Sequence, residues 1–99
     1  MDISTANANG TVTVAVTGQL NTNTARDLEV ALDDVLLEST DIVLDFCNLD
    51  YISSAGLRVV LGAQKRVNAA AGSLKLTGLS ESVREVFDIT GLADVLTIE

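Results

Sequence analysis

From residue 40 onward the apolar residues change spacing repeatedly, from short strand-like runs to helical repeats and back, which limits the chain to an α/β arrangement. Residues 41–46, Asp41-Ile42-Val43-Leu44-Asp45-Phe46, form a branched, nearly continuous apolar run, as expected of a central strand covered on both faces. After a loop at 47–53, Leu57, Val60, Leu61, Gln64, Val67 and Ala71 recur on one side of a helix, with Gly72 as its C-terminal stop. Residues 73–77 read as a strand and Gly78 as a turn. Ser80 caps a third helix with Val83, Val86 and Phe87 facing inward, and residues 95–98 close as a last strand.

The first forty residues add an edge and one more helix. Val12, Val14 and Val16 alternate with Thr13, Ala15 and Thr17, the period of a strand, and Gly18 ends it. A weaker strand over 2–5 precedes it, joined through Asn7-Ala8-Asn9-Gly10, whose Asn-Gly pair favours a hairpin. Asn21-Thr22-Asn23-Thr24 offers side-chain oxygens to cap a helix running to about residue 38, in which Ala25, Leu28, Leu32, Val35 and Leu36 repeat. The expected assembly is one α/β domain over 1–99: a mixed four- to five-stranded sheet with three to four helices packed on it through right-handed crossovers.

Composition removes several functions. Histidine is absent, so neither a Ser-His nor a Cys-His nucleophile pair can be assembled, and no catalytic residue is expected. No zinc or calcium ligand spacing occurs, so no metal is expected, and no glycine loop of the phosphate-cradling kind implies a nucleotide cofactor. The formal charge of -8 and three aromatic residues argue against nucleic acid and anionic membranes as partners. Apolar stretches fall short of a membrane span and the N-terminus lacks a secretory pattern, so a cytoplasmic protein is the expectation, with monomer the default for a soluble chain of this length. The single cysteine, Cys47, is expected to be a small half-buried side chain at a strand end.

One position invites more. Ser54 sits where the second helix begins, and position alone makes it a helix cap. At about 100° per residue, Ser54, Arg58, Gly62 and Lys65 share an outward, partly basic strip opposite Leu57, Val60 and Leu61. Gly62 costs such a helix roughly 1 kcal/mol relative to alanine; on an outward face it would either let a partner's chain approach closely or accommodate a neighbouring loop.

Tyr51-Ile52-Ser53-Ser54-Ala55-Gly56-Leu57, followed by Arg58-Val59-Val60-Leu61-Gly62, resembles the motif of bacterial anti-sigma factor antagonists, the STAS domain. Thr17-Gly18-Gln19-Leu20-Asn21, Ile42-Val43-Leu44-Asp45 and Val86-Phe87-Asp88-Ile89-Thr90-Gly91-Leu92 extend the resemblance along nearly the whole chain. The resemblance implies a non-enzymatic antagonist that, unphosphorylated, binds an anti-sigma factor with serine kinase activity and so frees a sigma factor. Phosphorylation by that kinase breaks the complex, a PP2C-type phosphatase reverses it, and the ATP and magnesium belong to the kinase. Matching Gly56-Leu57 to the family's Gly-Leu puts the phosphoacceptor at Ser54, with Ser53, where the family usually has Asp, as second choice. Asn21, Ser53, Ser54, Ala55, Arg58, Gly62 and Lys65 are then the expected partner surface; Asn21 replaces a frequent Asp. Two rival readings are a constitutive STAS scaffold in a signalling or transporter assembly, and an enzyme using Ser54 or Cys47, which the lack of histidine opposes.

Overall fold

A computed structural model describes all 99 residues. β1 (Asp2–Ala8) and β2 (Thr11–Leu20) form an antiparallel hairpin whose turn residues Asn9 and Gly10 have φ of 56° and 90°. Positive φ at both central residues is what a tight hairpin turn needs, and the Asn-Gly pair supplies it. β1 runs three residues past the expected end, and the Asn7 side-chain oxygen accepts the Gly10 N–H.

Three crossovers follow: α1 (Ala25–Glu38) leads to β3 (Asp41–Ile52), α2 (Ser54–Ala69) to β4 (Ser73–Thr77), and α3 (Glu81–Ile89) to β5 (Thr97–Ile98). The strands lie in chain order, β1-β2-β3-β4-β5, with β2 through β5 parallel. Every crossover therefore steps the same way, and a common right-handed sense puts all three helices on one face. The burial pattern agrees. Val12, Val14 and Val16, then Ile42, Leu44 and Phe46, then Leu74 and Leu76 are buried against Leu28, Leu32, Val60, Val67, Val83 and Phe87 in one cluster. Their neighbours Thr13, Ala15, Val43, Asp45 and Lys75 are only half-buried or exposed. β3 is thus covered on one face, not two, because the third layer that a doubly covered strand needs is not there.

The segment 47–53, expected as a loop, is strand as far as Ile52. Between Ala15↔Asp45 and Thr17↔Asn48, β2 advances two residues while β3 advances three, and the same slip recurs between Gly18↔Leu49 and Gln19↔Tyr51. Each extra residue is a bulge that breaks the two-residue alternation. Buried Phe46, Leu49 and Ile52 consequently fall three apart, a spacing that does not read as strand.

Further corrections are local. Ala71 is exposed and lies beyond the helix, with φ of 56°, so alanine and not Gly72 takes the left-handed turn. Gly72 is there for another reason: a Cβ would come within 2.1 Å of the Thr40 carbonyl oxygen. Val86 is half-buried, and a 3₁₀ turn, Leu92–Asp94, leaves Val95 exposed and shortens the last strand to two residues. Five strands, three α-helices and this turn complete the mixed sheet domain.

Candidate functional site

The bulged end of β3 delivers the chain to α2 at a fixed place. The Ser53 N–H donates to the Leu20 carbonyl at 2.8 Å, continuing the pairing with β2 one residue past the strand. Gly56 lets the first turn of α2 sit directly on the sheet edge, since a Cβ there would lie 2.7 Å from Leu20 Cγ and 2.9 Å from Ile52 Cγ1. Both of those side chains are buried, so little room exists for them to yield.

Within this junction the two serines divide the work. Ser53 is the helix cap: its backbone is extended and its Oγ accepts the Gly56 N–H at 3.3 Å. Ser54, read from position as the cap, is instead the first helical residue; it is exposed and its hydroxyl makes no hydrogen bond to the protein. The neighbouring Ala55 is half-buried. Asn21 faces the same end of the sheet in the β2–α1 connection, where its Oδ1 accepts the N–H groups of Asn23 and Thr24 at 2.9 and 3.1 Å. The Thr24 hydroxyl closes this turn by donating to the Gln19 carbonyl at 2.8 Å. The oxygen of Asn21 is therefore spent on local structure, and Thr24, the residue before α1, does not cap that helix with its side chain.

Along α2, Arg58 and Lys65 are exposed and Gly62 is half-buried, with nothing within 4 Å of where its Cβ would be. Of the six cations, Arg26, Arg66, Lys75 and Arg84 each lie within 4.0 Å of a carboxylate. Arg58 and Lys65 do not, so the only unpaired positive side chains stand on the strip that starts at Ser54. Sequence reasoning missed the groove beside this strip. It measures about 130 Å³ and lies between α1 and α2, lined by Glu29, Leu32, Asp33, Arg58, Val59, Gly62, Ala63 and Arg66. Its signal was the i, i+4, i+8 spacing of Arg58, Gly62 and Arg66, which puts a gap in the ridge between two arginines.

Cys47 lies apart from this site. It is exposed, not half-buried, because it falls on the same uncovered side of β3 as Val43 and Asp45. A hydrogen bond to the Asp45 carboxylate, with some desolvation and the charge of that carboxylate, pushes its thiol above the usual cysteine range. Such a thiol is a poor nucleophile. No group of three or more Cys, Asp or Glu side chains is placed to hold a metal ion, and no helix is long and apolar enough to cross a membrane.

A strand-to-helix junction carrying a free serine, on a sheet with strands in chain order and helices on one face, defines a recognisable domain class. The sequence model of the STAS domain matches residues 2–99, and the chain belongs to that family. It is 40% identical over 90 residues to BtrV of Bordetella bronchiseptica, assigned as an anti-sigma factor antagonist, covering 90% of this chain and 78% of that protein. The anti-sigma-B factor antagonist of Bacillus subtilis is 34% identical over 87 residues, 88% of this chain and 80% of the relative. Among solved structures, an anti-sigma factor antagonist from Mycobacterium paratuberculosis superposes with a TM-score of 0.89 at 20% identity, covering 98% of this chain and 83% of that one. SpoIIAA in its unphosphorylated form superposes with a TM-score of 0.78 at 21% identity, over 99% and 87% of the two chains.

Proposed function

We propose that this chain is an anti-sigma factor antagonist whose partner binding is switched off by phosphorylation of Ser54. Unphosphorylated, it binds an anti-sigma factor with serine kinase activity and so releases a sigma factor; a PP2C-type phosphatase resets it. It acts in the cytoplasm as substrate and ligand, not as catalyst. Its relatives named as antagonists support the class, and SpoIIAA, alike in fold, has been solved in both unphosphorylated and phosphorylated forms.

The observation that carries the choice of residue is the division between the serines. Ser53 spends its hydroxyl on the Gly56 N–H, whereas the Ser54 hydroxyl is exposed and unengaged. A phosphate on Ser54 would add a charge of about -1.5 to -2 at the first turn of a helix, where free N–H groups and the dipole favour an anion. The fold would survive, and the contact strip of Ala55, Arg58, Gly62 and Lys65 would change sign at one end.

The test is incubation with candidate anti-sigma factor kinases, ATP and magnesium, followed by peptide mass analysis. One phosphoryl group should appear on the peptide containing Ser54, and Ser54→Ala should abolish it; undiminished labelling of that variant overturns the assignment to Ser54. Ser54→Asp should weaken kinase binding about tenfold, some 1.4 kcal/mol. A stable complex that never labels the chain makes it a scaffold.

A further inference from the structure

Four of the six cations are held by carboxylates, and the two exceptions share one face of α2. The chain has 14 acidic side chains, and Arg58 has carboxylate candidates close by. Glu29 and Asp33 of α1 line the same groove, but Asp33 is taken by Arg66 and Glu29 lies 3.9 Å from Arg26. Arg58 thus stands at the rim of the groove with its guanidinium uncommitted.

We propose that Arg58 is the internal counter-ion for a phosphate on Ser54, and that in binding it Arg58 carries phosphorylation into the groove between α1 and α2. The proposal rests on the phosphorylation reading above for the identity of the anion. Ser54 and Arg58 are four residues apart on one helix and both exposed. An anion one turn N-terminal to a cation is the favourable order for such a pair. A phosphate presents three acceptor oxygens to a planar fork of donors, a better match than a single carboxylate. In the unmodified chain the groove holds two arginines against Glu29 and Asp33 and is balanced. Once Arg58 turns toward Ser54 the groove keeps only Arg66 against two carboxylates, and its charge becomes negative. The missing Cβ of Gly62 leaves the floor open beneath the moving side chain. A partner reading this surface meets a changed groove as well as a new anion.

The experiment needs no kinase. Phosphoserine is installed at position 54 during translation, and its second ionisation is followed by phosphorus NMR in the otherwise unchanged chain, in R58Q and in K65Q. The helix end acts alike on all three, as do Asp50 and Tyr51 of β3 and Glu29, Asp33 and Arg66 around the groove, so the comparison isolates one cation. Lys65 lies three turns away and is the control. A bound guanidinium favours the dianion and lowers the pKa, so R58Q should titrate higher by roughly half a unit, and K65Q should match the unchanged chain. The Gly62 amide resonance should follow the phosphate titration only where Arg58 is present. Coincident titrations with and without Arg58, or a Gly62 amide that responds equally in both, overturn the proposal. A Ser54 that no kinase labels, in a chain whose installed phosphate still depends on Arg58, instead refutes the phosphorylation reading and leaves the electrostatics standing.

Discussion

Two adjacent serines differ by one position relative to a helix, and that single step separates an engaged hydroxyl from a free one. Ser53→Ala removes an acceptor from the Gly56 N–H and should cost about 1 kcal/mol, a fall in Tm of roughly 4–8 °C. Ser54→Ala removes no bond within the protein and should leave Tm within the range of an ordinary surface change, about ±0.5 kcal/mol. Thermal unfolding of both variants checks the pair; equal losses would erase the distinction. The sequence could not make it, since Ser-Ser before a helix offers two equivalent caps and helix starts are uncertain by a residue or so. The resemblance pointed to Ser54, but only the geometry showed whose hydroxyl is spent. Cys47 makes a second residue-scale case. Its thiol pKa is raised chiefly by the hydrogen bond to Asp45, so at mildly alkaline pH it carries less thiolate than a free thiol and should react slowly with a disulfide reagent. Asp45→Asn removes both that carboxylate acceptor and its charge. The pKa should fall, the thiolate fraction rise and labelling quicken, as a pH series of reaction rates would measure.

At the scale of elements, α2 is built against its own stability at one point. Gly62 is helical, its Cβ would touch nothing, and no positive φ calls for glycine. Gly62→Ala should therefore stabilise the fold by about 1 kcal/mol while weakening partner binding, because the methyl fills the gap between Arg58 and Arg66. Unfolding and binding measured on one variant should move in opposite directions; a variant that gains stability and binds unchanged would strip Gly62 of its proposed role. The helices were legible from their apolar repeats, and Ser80 was legible as the cap of α3, where its Oγ accepts the Val83 N–H at 3.2 Å. The end of β3 was not. Two bulges convert an alternation into a three-residue spacing, and such slips depend on the partner strand, which local pattern does not reveal. Ala71 and Gly72 teach the same lesson: the need for glycine at 72 comes from Thr40, distant in sequence. The groove was equally hidden, since it belongs to two helices and to neither alone.

For the whole molecule, the parallel strands in chain order and the uniform step of the crossovers leave one sheet face under three helices and the other without a covering layer. Adjacent residues of β3 should register this. Leu44 is fully buried, and Leu44→Ala should cost about 2–5 kcal/mol. Val43 points the other way and is half-buried, so Val43→Thr should cost less than about 1 kcal/mol. Chemical denaturation of the two variants checks the asymmetry, and comparable losses would mean a third layer. The excess of acidic groups is spread over the helices, in Asp27, Asp34, Glu38, Glu81, Glu85 and Asp88, all exposed. This leaves the strip of α2 as the place where the surface departs from its general sign. The order of the strands has one more consequence, for synthesis. No strand must be threaded between two that have already paired, so each βα unit can dock beside the last as it leaves the ribosome, and the sheet can grow in the direction of translation.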